Sequence, residues 1–236
     1  AKKGTPEFDL FIKEVHREIT VKTGQKCTAI RRILVPDSLI DEVQSALIKK
    51  LEKTIIGNPD NKDVRMGALA TKIQVERVKE NIELLMKSQE VVYGDQENFT
   101  VCDANKEKGA FISPVLFRND KPFLKDDVHS IEAFGPVSTL IPYKGIEEAI
   151  NLVEMGKGSL VTSIVTNNNK LAKDFVVESA NMNGRILVLN ERCAKESTGH
   201  GSPMPLLTHG GPGRAGGGEE MGGVRGIKHY LQRTSI

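Results

Sequence analysis

Cys27 lies in a short polar stretch, residues 24–29 (GQKCTA), between an amphipathic segment and an apolar one. A free thiol has a pKa of about 8.5 and becomes a useful nucleophile when nearby positive charge stabilises the thiolate. Lys26 precedes Cys27, and Arg31 and Arg32 follow it closely. The pattern favours a nucleophilic cysteine. The alternative is a small buried cysteine without a chemical role, since free cysteine packs as a small hydrophobic residue.

The histidines offer no comparable pattern. Their spacing matches no known metal motif, and no cysteine and histidine pair has the spacing of a zinc site, so we expect no metal. A Cys–His dyad stays open, because the two partners of such a dyad are adjacent only in space. His200 and His209 are the candidate partners of Cys27, and an ordinary loop histidine is the alternative for each. The five histidines are His16, His129, His200, His209 and His229.

Residues 211–216 (GPGRAG) spell G-x-G-x-x-G. A dinucleotide-binding fingerprint also needs a preceding strand, a following crossover and an acidic residue about 20 positions on, and we find none of them. We therefore interpret this stretch as a glycine-rich loop whose backbone closely approaches another part of the molecule.

Three stretches, in the same order, resemble motifs of the aldehyde dehydrogenase superfamily. Residues 23–36 resemble its nucleophile motif, residues 132–137 (EAFGPV) its glutamate-x-phenylalanine-glycine-proline-valine motif, and residues 210–230 its glycine-rich C-terminal signature. The resemblance covers nearly the whole chain. Within the family it is strongest to the aldehyde dehydrogenase half of the bifunctional enzymes of phenylacetic acid degradation, through residues 24–32, 199–203 and 209–223.

The resemblance implies oxidation of an aldehyde to an acid with NADP or NAD as cofactor. In this mechanism the Cys27 thiolate attacks the aldehyde to give a thiohemiacetal, hydride loss gives a thioester, and water cleaves it. The Cys27 backbone amide would supply half of the oxyanion hole. Glu132 would hold the nicotinamide ribose and Phe134 would pack near the nicotinamide ring. Without the resemblance, we would interpret Glu132 as a surface carboxylate before a turn and Phe134 as an ordinary core aromatic.

The family's general base, its second oxyanion donor and its nucleotide-binding domain lie before the cysteine, farther upstream than the 26 residues that precede Cys27 here. We therefore expect residues 1–236 to be an excised C-terminal catalytic domain that turns over little by itself. The resemblance also implies a semialdehyde substrate carrying a coenzyme A thioester, and a fused hydratase half after Ile236. The alternative is a noncatalytic assembly domain with an incidental Cys27.

The bulk composition excludes several other classes. A formal charge of +2 and 5% aromatic residues give no support for nucleic-acid binding. No apolar run reaches the ~18 residues that cross a bilayer, and the polar start is not a signal peptide. Three widely spaced cysteines argue against a disulfide framework, so we expect a cytoplasmic protein. With 236 residues, 39% of them hydrophobic, we expect one domain.

Helical and strand periodicities alternate along the chain. We expect a helix starting at Thr5 and Pro6, one capped by Ser38 with a Leu39, Val43, Leu47 and Leu51 stripe, and one capped by Thr71 and Gln74 with Ile73, Val78, Ile82 and Leu85 inward. Later helices surround residues 146–153 and 171–175, and strands cover residues 29–35, 91–93, 111–117, 137–142, 160–166 and 185–189. Strand–helix alternation predicts an α/β fold: a three-layer, mostly parallel open sheet with helices on both faces.

The apolar strand at residues 184–190 comes late in this alternation, so we place it at the margin of the sheet. An unpaired strand edge invites pairing with another chain. In the resembling family the equivalent strand pairs with an oligomerisation arm of a neighbouring subunit. We therefore expect a homo-oligomer, unless the chain covers the edge itself through residues 199–207.

Overall fold

The computed structural model describes residues 2–193, 198–201, 210–216, 231 and 234–236. They form two compact units: a first unit, Ile12–Tyr143, and a second unit, Ala1–Phe11 with Lys144–Ile236. The predicted single domain stays a prediction. His209, His229 and most of the predicted C-terminal signature lie outside the described residues.

Helix α1 spans Pro6–Thr20, as the sequence predicts. Its start carries the expected cap: the Thr5 hydroxyl accepts a hydrogen bond from the amide of Phe8 (3.4 Å), and proline at the first helical position lacks only an N–H that would be unsatisfied there. The boundary between the two units falls inside this helix. Its apolar residues at helical spacing are buried, among them Phe8, Ile12, Val15 and Ile19.

The first unit contains one four-stranded sheet. Its strands are β1 (Arg32–Pro36), β2 (Glu90–Tyr93), β3 (Val115–Arg118) and β4 (Val137–Tyr143), in the order β1-β4-β3-β2. Strand β4 pairs in parallel with both β1 and β3, whereas the edge strand β2 pairs with β3 antiparallel. Residues 137–141 of β4 are all buried, as a central strand requires. The hydroxyl of its buried Thr139 donates to Gln89 Oε1 (2.8 Å), so the hydroxyl and the amide oxygen are hydrogen-bonded.

Three helices complete the first unit: α2 (Ile40–Leu51), α3 (Lys72–Met86) and the single turn α4 (Asp127–Ser130). Helix α2 lies against β1 and β4 and buries the predicted Val43, Leu47 and Leu51. The predicted Ser38 cap is wrong, because no side chain caps the start of α2. Residues Asp37–Leu39 instead form a 3-10 turn that continues directly into the helix.

At α3 the predicted cap is confirmed, because Thr71 Oγ1 accepts from the amide of Gln74 (3.3 Å). Ile73, predicted inward, is exposed. The buried face follows Val78, Ile82 and Leu85, and at about 100° per residue Ile73 lies roughly 140° away from Val78. That face packs on one apolar core with residues of β3, β4 and the loops before them: Leu69, Ile112, Val115, Phe117, Ala133 and Val137.

The second unit is built on β5 (Ser159–Val165) and β6 (Asn183–Leu189), a parallel pair joined by helix α6 (Asn169–Ser179). Helix α5 (Ile146–Glu154) precedes β5 and contacts α6. The Asn168 side chain caps α6 by accepting from the amide of Leu171 (3.0 Å). These elements are the ones the sequence predicts, and parallel strands joined through a helix are the expected crossover.

The start of β6 is closely approached by two other backbone segments. A Cβ atom on Gly184 would fall 1.8 Å from the carbonyl oxygen of Gly210, so glycine is required there and the predicted close approach of the glycine-rich loop is confirmed. On the edge, the amide of Ile186 donates to the carbonyl of Ser235 (2.8 Å). The chain therefore covers part of this edge through Ser235, whereas most of the predicted cover, residues 199–207, lies outside the described residues.

The fold class is α/β with mostly parallel strands, as predicted, and the described strands form two sheets. None of the described helices is both long and apolar enough to span a membrane.

Candidate active site

The chain enters the predicted nucleophile stretch through a left-handed turn in Val21–Gly24. Lys22 (φ 52°), Thr23 (φ 53°) and Gly24 (φ 68°) are consecutive residues with positive φ. The left-handed conformation costs a non-glycine residue roughly 1–2 kcal/mol. Such strain persists only where surrounding contacts hold it, and it is concentrated at functional sites.

Two side chains hold this turn against residues 67–70. The hydroxyl of Thr23, a buried residue, donates to the carbonyl of Gly67 (3.0 Å), with Ala68 O at 3.3 Å. Gln25 Oε1 accepts from the amide of Ala70 (2.8 Å). These hydrogen bonds hold the turn in place, and they explain why its residues keep positive φ angles.

Gly24 brings the first two predicted motifs together. A Cβ atom on Gly24 would lie 2.2 Å from the carbonyl oxygen of Gly135, closer than any real side chain tolerates. Gly135 belongs to the motif of residues 132–137, and the last residue of that motif, Val137, begins β4. Because β1 and β4 are parallel neighbours, the turn before β1 and the motif before β4 meet at the same edge of the sheet.

Cys27 follows the turn and is exposed, so the alternative of a buried inert cysteine is disfavoured. The cations predicted to stabilise its thiolate bond to other groups. Lys26 Nζ lies 2.6 Å from Oε2 of the buried Glu18, and Arg32 Nη1 lies 3.0 Å from His129 Nδ1. The Glu18 carboxylate therefore offsets the Lys26 charge, and the stabilisation of the Cys27 thiolate by these cations stays a prediction.

Arg31 occupies the junction between the two motifs. Its Nη2 donates to the carbonyl of Gly24 (2.7 Å) and its Nη1 to the carbonyl of Gly135 (2.5 Å). Nε lies 4.0 Å from Glu132 Oε1, and Cζ lies 5.6 Å from the centre of the Phe134 ring. Burial lowers the pKa of the Arg31 guanidinium to about 10, and the Glu132 carboxylate opposes that shift. Arg31 is therefore still a cation at neutral pH.

Glu132 and Phe134 flank this guanidinium and are both accessible. The Glu132 side chain is 49% exposed and Phe134 is 37% exposed, so Phe134 is not an ordinary core aromatic. Phe134 lines a surface groove of about 590 Å³ with Lys22, Thr23, Gln25, Gly67, Ala68, Ala70 and Gln74. An accessible carboxylate next to an open aromatic face fits the hydroxyls of a ribose and a flat heteroaromatic ring.

The structure gives partners for two of the predicted histidines. His200 Nδ1 lies 2.6 Å from Ser163 Oγ in the second unit, and His209 lies outside the described residues. His129 is buried, with Nε2 2.9 Å from the carbonyl of Pro122. In the part of the chain that the structure describes, no three His, Cys, Asp or Glu side chains are grouped to hold a metal ion.

The contacts of Arg31 and the anchoring role of Thr23 were not predicted from the sequence. Arg31 and Arg32 are adjacent arginines, and they differ only in the face to which each side chain points, since side chains alternate along an extended chain. That alternation sends Arg31 to Gly135 and Arg32 to His129. Thr23 offered a weaker signal, since a hydroxyl next to glycine is common in turns.

The α/β fold joins the strained turn before an exposed cysteine to a segment that carries a carboxylate and an aromatic ring. Residues 5–236 match the model of the aldehyde dehydrogenase family, and the chain belongs to that family.

Curated relatives match this chain over about half of their own length or less. A 3,4-dehydroadipyl-CoA semialdehyde dehydrogenase of Aromatoleum evansii is 41% identical over 212 residues, which are 90% of this chain and 41% of that protein. Protein MaoC of Klebsiella aerogenes is 46% identical over 172 residues, 72% of this chain and 50% of that protein.

Solved structures share the fold at lower identity. A betaine aldehyde dehydrogenase of Staphylococcus aureus in complex with NAD+ superposes with a TM-score of 0.77 at 22% identity, over 94% of this chain and 42% of that one. A succinic semialdehyde dehydrogenase of Streptococcus pyogenes in complex with NADP+ gives a TM-score of 0.72 at 23% identity, over 89% and 42% respectively. Both comparisons support the α/β fold of the catalytic domain.

Proposed function

We propose that this chain is the catalytic domain of an NAD(P)-dependent aldehyde dehydrogenase in which Cys27 is the nucleophile. The observation that carries the proposal is the contact of Gly24 with Gly135, which joins the turn before the exposed Cys27 to the segment of Glu132 and Phe134. Membership of the aldehyde dehydrogenase family supports the reaction class.

In this reaction the Sγ–carbon bond forms first, when the Cys27 thiolate adds to the aldehyde carbon. The backbone N–H of Cys27 donates to the resulting oxyanion. A nicotinamide held at this site would accept the hydride that leaves the thiohemiacetal carbon, and that carbon would then be a thioester on Cys27. Water then adds to the thioester, the carbon–sulfur bond breaks, the acid leaves and Cys27 returns to its thiolate. The Glu132 carboxylate would accept hydrogen bonds from the ribose hydroxyls of the cofactor, and Phe134 would pack beside its nicotinamide ring.

The substrate we propose is a semialdehyde carrying a coenzyme A thioester, of the kind formed in aromatic ring degradation. Its support is the 41% identity, over 90% of this chain, to a relative named for a CoA-linked semialdehyde. NAD and NADP are both retained as cofactors, because related structures hold one or the other.

The general base, the second oxyanion donor and the nucleotide-binding domain are proposed to reside in the part of the relatives' length that this chain does not cover. Residues 1–236 would then bind cofactor weakly and turn over little by themselves. We call the protein that combines this chain with those parts the complete enzyme. A homo-oligomer, a cytoplasmic location and a fused hydratase half are further parts of the proposal.

The test is aldehyde-dependent reduction of NAD(P)+ by the complete enzyme carrying Cys27→Ala, with Cys102→Ala and Cys193→Ala as matched controls. Losing a covalent nucleophile is expected to lower kcat by at least about a thousandfold, while both controls keep wild-type rates. Circular dichroism and the unfolding midpoint check that each variant folds.

Substantial dehydrogenase activity in a folded Cys27→Ala variant would refute the nucleophile assignment and favour a noncatalytic assembly domain. Substrate class is tested separately by comparing kcat/KM for a free short aldehyde and for a semialdehyde bearing a CoA thioester. Preference for the free aldehyde would refute the substrate proposal and leave the reaction class intact.

A further inference from the structure

Arg31 donates to two carbonyl oxygens that belong to different motifs. Gly24 O is in the turn before Cys27, and Gly135 O is in the segment that follows Glu132 and Phe134. The two segments are about a hundred residues apart in the sequence, and their backbones approach each other closely at Gly24. The Arg31 guanidinium therefore bridges the two segments where their backbones are closest.

The remaining surface of the same side chain faces the residues of the cofactor segment. Nε is 4.0 Å from Glu132 Oε1, and the guanidinium carbon is 5.6 Å from the centre of the Phe134 ring, within the range of a cation–π contact. One side chain thus contacts the carboxylate, the aromatic ring and the backbone of residues 132–135, together with the nucleophile turn.

Only arginine has the shape for this set of contacts. Its planar fork directs separate N–H groups to separate acceptors, whereas a lysine ammonium is a single point charge. The Arg31 side chain is only 19% exposed, so its bonds are poorly replaced by water when it is removed. Deleting it would leave the two carbonyls of a tight contact without their shared donor.

We infer that Arg31 is a positioning residue that locks the nucleophile turn to the cofactor segment, so that the Cys27 thiol and the Glu132–Phe134 pair keep a fixed relation. This inference rests on the proposed function of Cys27, Glu132 and Phe134. Arg31 itself bonds protein groups on both sides and acts on the reaction through them.

The test compares Arg31→Met and Arg31→Lys with Arg118→Met in the complete enzyme. Arg118 is a matched control, because its side chain is 20% exposed, it forms close ion pairs with Asp41 and Asp120, and it lies on β3 of the same unit. The measurements are kcat, KM for NAD(P)+, the unfolding midpoint, and hydrogen exchange of residues 24–28 and 132–137.

Arg31→Met is expected to raise KM for NAD(P)+ and to lower kcat, each by about tenfold or more, as for the loss of a bond to a charged donor of 1.5–3 kcal/mol. Hydrogen exchange should accelerate in both segments together. Arg31→Lys should restore the unfolding midpoint more than it restores kcat, since one ammonium cannot hold both carbonyls. Arg118→Met should change stability without changing either kinetic constant.

If Arg31→Met matches Arg118→Met in KM, kcat and segmental exchange, the inference is overturned. Cys27→Ala, assayed alongside, separates this failure from failure of the proposed function. Activity retained in Cys27→Ala overturns the proposed function itself. Activity lost in Cys27→Ala, together with an unaltered Arg31→Met, overturns the positioning role alone.

Discussion

Gly24 in the first unit and Gly184 in the second unit each press against a carbonyl oxygen from a distant segment of the same unit. A Cβ atom would fall 2.2 Å from Gly135 O in the first case and 1.8 Å from Gly210 O in the second. Gly184 lies at the start of β6, where the backbone of Ser235 and the hydroxyl of Thr234 bond the same stretch.

The two contacts differ in what surrounds them. Gly24 also has a positive φ of 68°, follows two left-handed residues, and is bonded by the Arg31 guanidinium. A cysteine, a carboxylate and an aromatic ring lie on the segments that this contact joins. The same kind of close backbone contact therefore stabilises the fold in the second unit and, under the proposed function, brings the site side chains together in the first unit.

The largest expected effect comes from Gly24→Ala. The left-handed conformation adds about 1–2 kcal/mol and overpacking about 1–3 kcal/mol, so the free energy of unfolding should fall by about 2–5 kcal/mol. Denaturant unfolding measures this, with hydrogen exchange to locate the loss within Ile12–Tyr143.

Gly184→Ala is the matched variant of the second unit. It should destabilise residues around β6 and leave the rate of Cys27 alkylation unchanged, whereas Gly24→Ala should alter that rate. If both variants change the rate of Cys27 alkylation equally, the contact at Gly24 is no more closely linked to the site than the contact at Gly184.

Glu132→Gln tests the cofactor side of the comparison. Replacing a charged acceptor by a neutral one is expected to cost about 1.5–3 kcal/mol of cofactor binding, which corresponds to an increase of KM for NAD(P)+ of about 10- to 150-fold. Glu97→Gln is the control, because the Glu97 side chain is 83% exposed and its Oε1 lies 3.9 Å from the Lys79 amine. If KM for NAD(P)+ is unchanged in Glu132→Gln, Glu132 is a surface carboxylate without a role in cofactor binding.

Acid should weaken the first unit through two histidines. Burial lowers the pKa of His16, helped by Lys50, and burial lowers the pKa of His129 against the opposing carbonyl of Pro122. Below pH about 6.5 the unfolded chain binds protons that the folded chain does not. The free energy of unfolding therefore falls as pH drops from about 6.5 toward the folded pKa values, and these groups change nothing above that window.

Unfolding midpoints of the wild type and of His16→Gln with His129→Gln, followed from pH 8 to pH 5, check this expectation. The double variant should lose less stability than the wild type on acidification. Parallel curves for the two proteins would show that neither histidine is held neutral by the fold.

The smallest effect concerns two lysines with positive φ, one in each unit: Lys22 (52°) and Lys157 (56°). Glycine removes about 1–2 kcal/mol of left-handed strain but makes the unfolded chain more flexible, so each Lys→Gly change should stabilise its unit by about 0.5–1 kcal/mol. Lys22→Gly should also slow catalysis slightly, and Lys157→Gly should not. If the two variants have the same catalytic rate, the strained conformation of the turn before Cys27 does not contribute to catalysis.

Sequence patterns predicted most of the elements, because helical and strand periodicity is encoded locally. They failed at Ser38, where a 3-10 turn leads into the helix without a side-chain cap, and at Ile73, whose position on the helix lies outside the buried face. The order of strands, with β4 inserted between β1 and β3, depends on contacts between residues far apart in sequence. No local pattern predicts such pairing.

The site was predictable to a similar degree. Motifs identified Cys27, Glu132 and Phe134 as candidates, and the structure places the last two beside Arg31. The sequence offered Lys26, Arg31 and Arg32 as cations near the thiolate. It did not indicate that Lys26 pairs with Glu18, a buried carboxylate eight residues earlier. Ion-pair choice depends on burial and distance, which adjacency in the chain does not fix.

The central claim is that Cys27 forms the covalent intermediate, and rapid quenching tests it most directly. The complete enzyme is mixed with the aldehyde and NAD(P)+, stopped in acid within one turnover, digested and examined by mass spectrometry. The account predicts an acyl group, as a thioester, on the peptide that contains Cys27, and its absence when NAD(P)+ is left out. An acyl group on Cys102 or Cys193, or turnover without any acyl-cysteine, would contradict it.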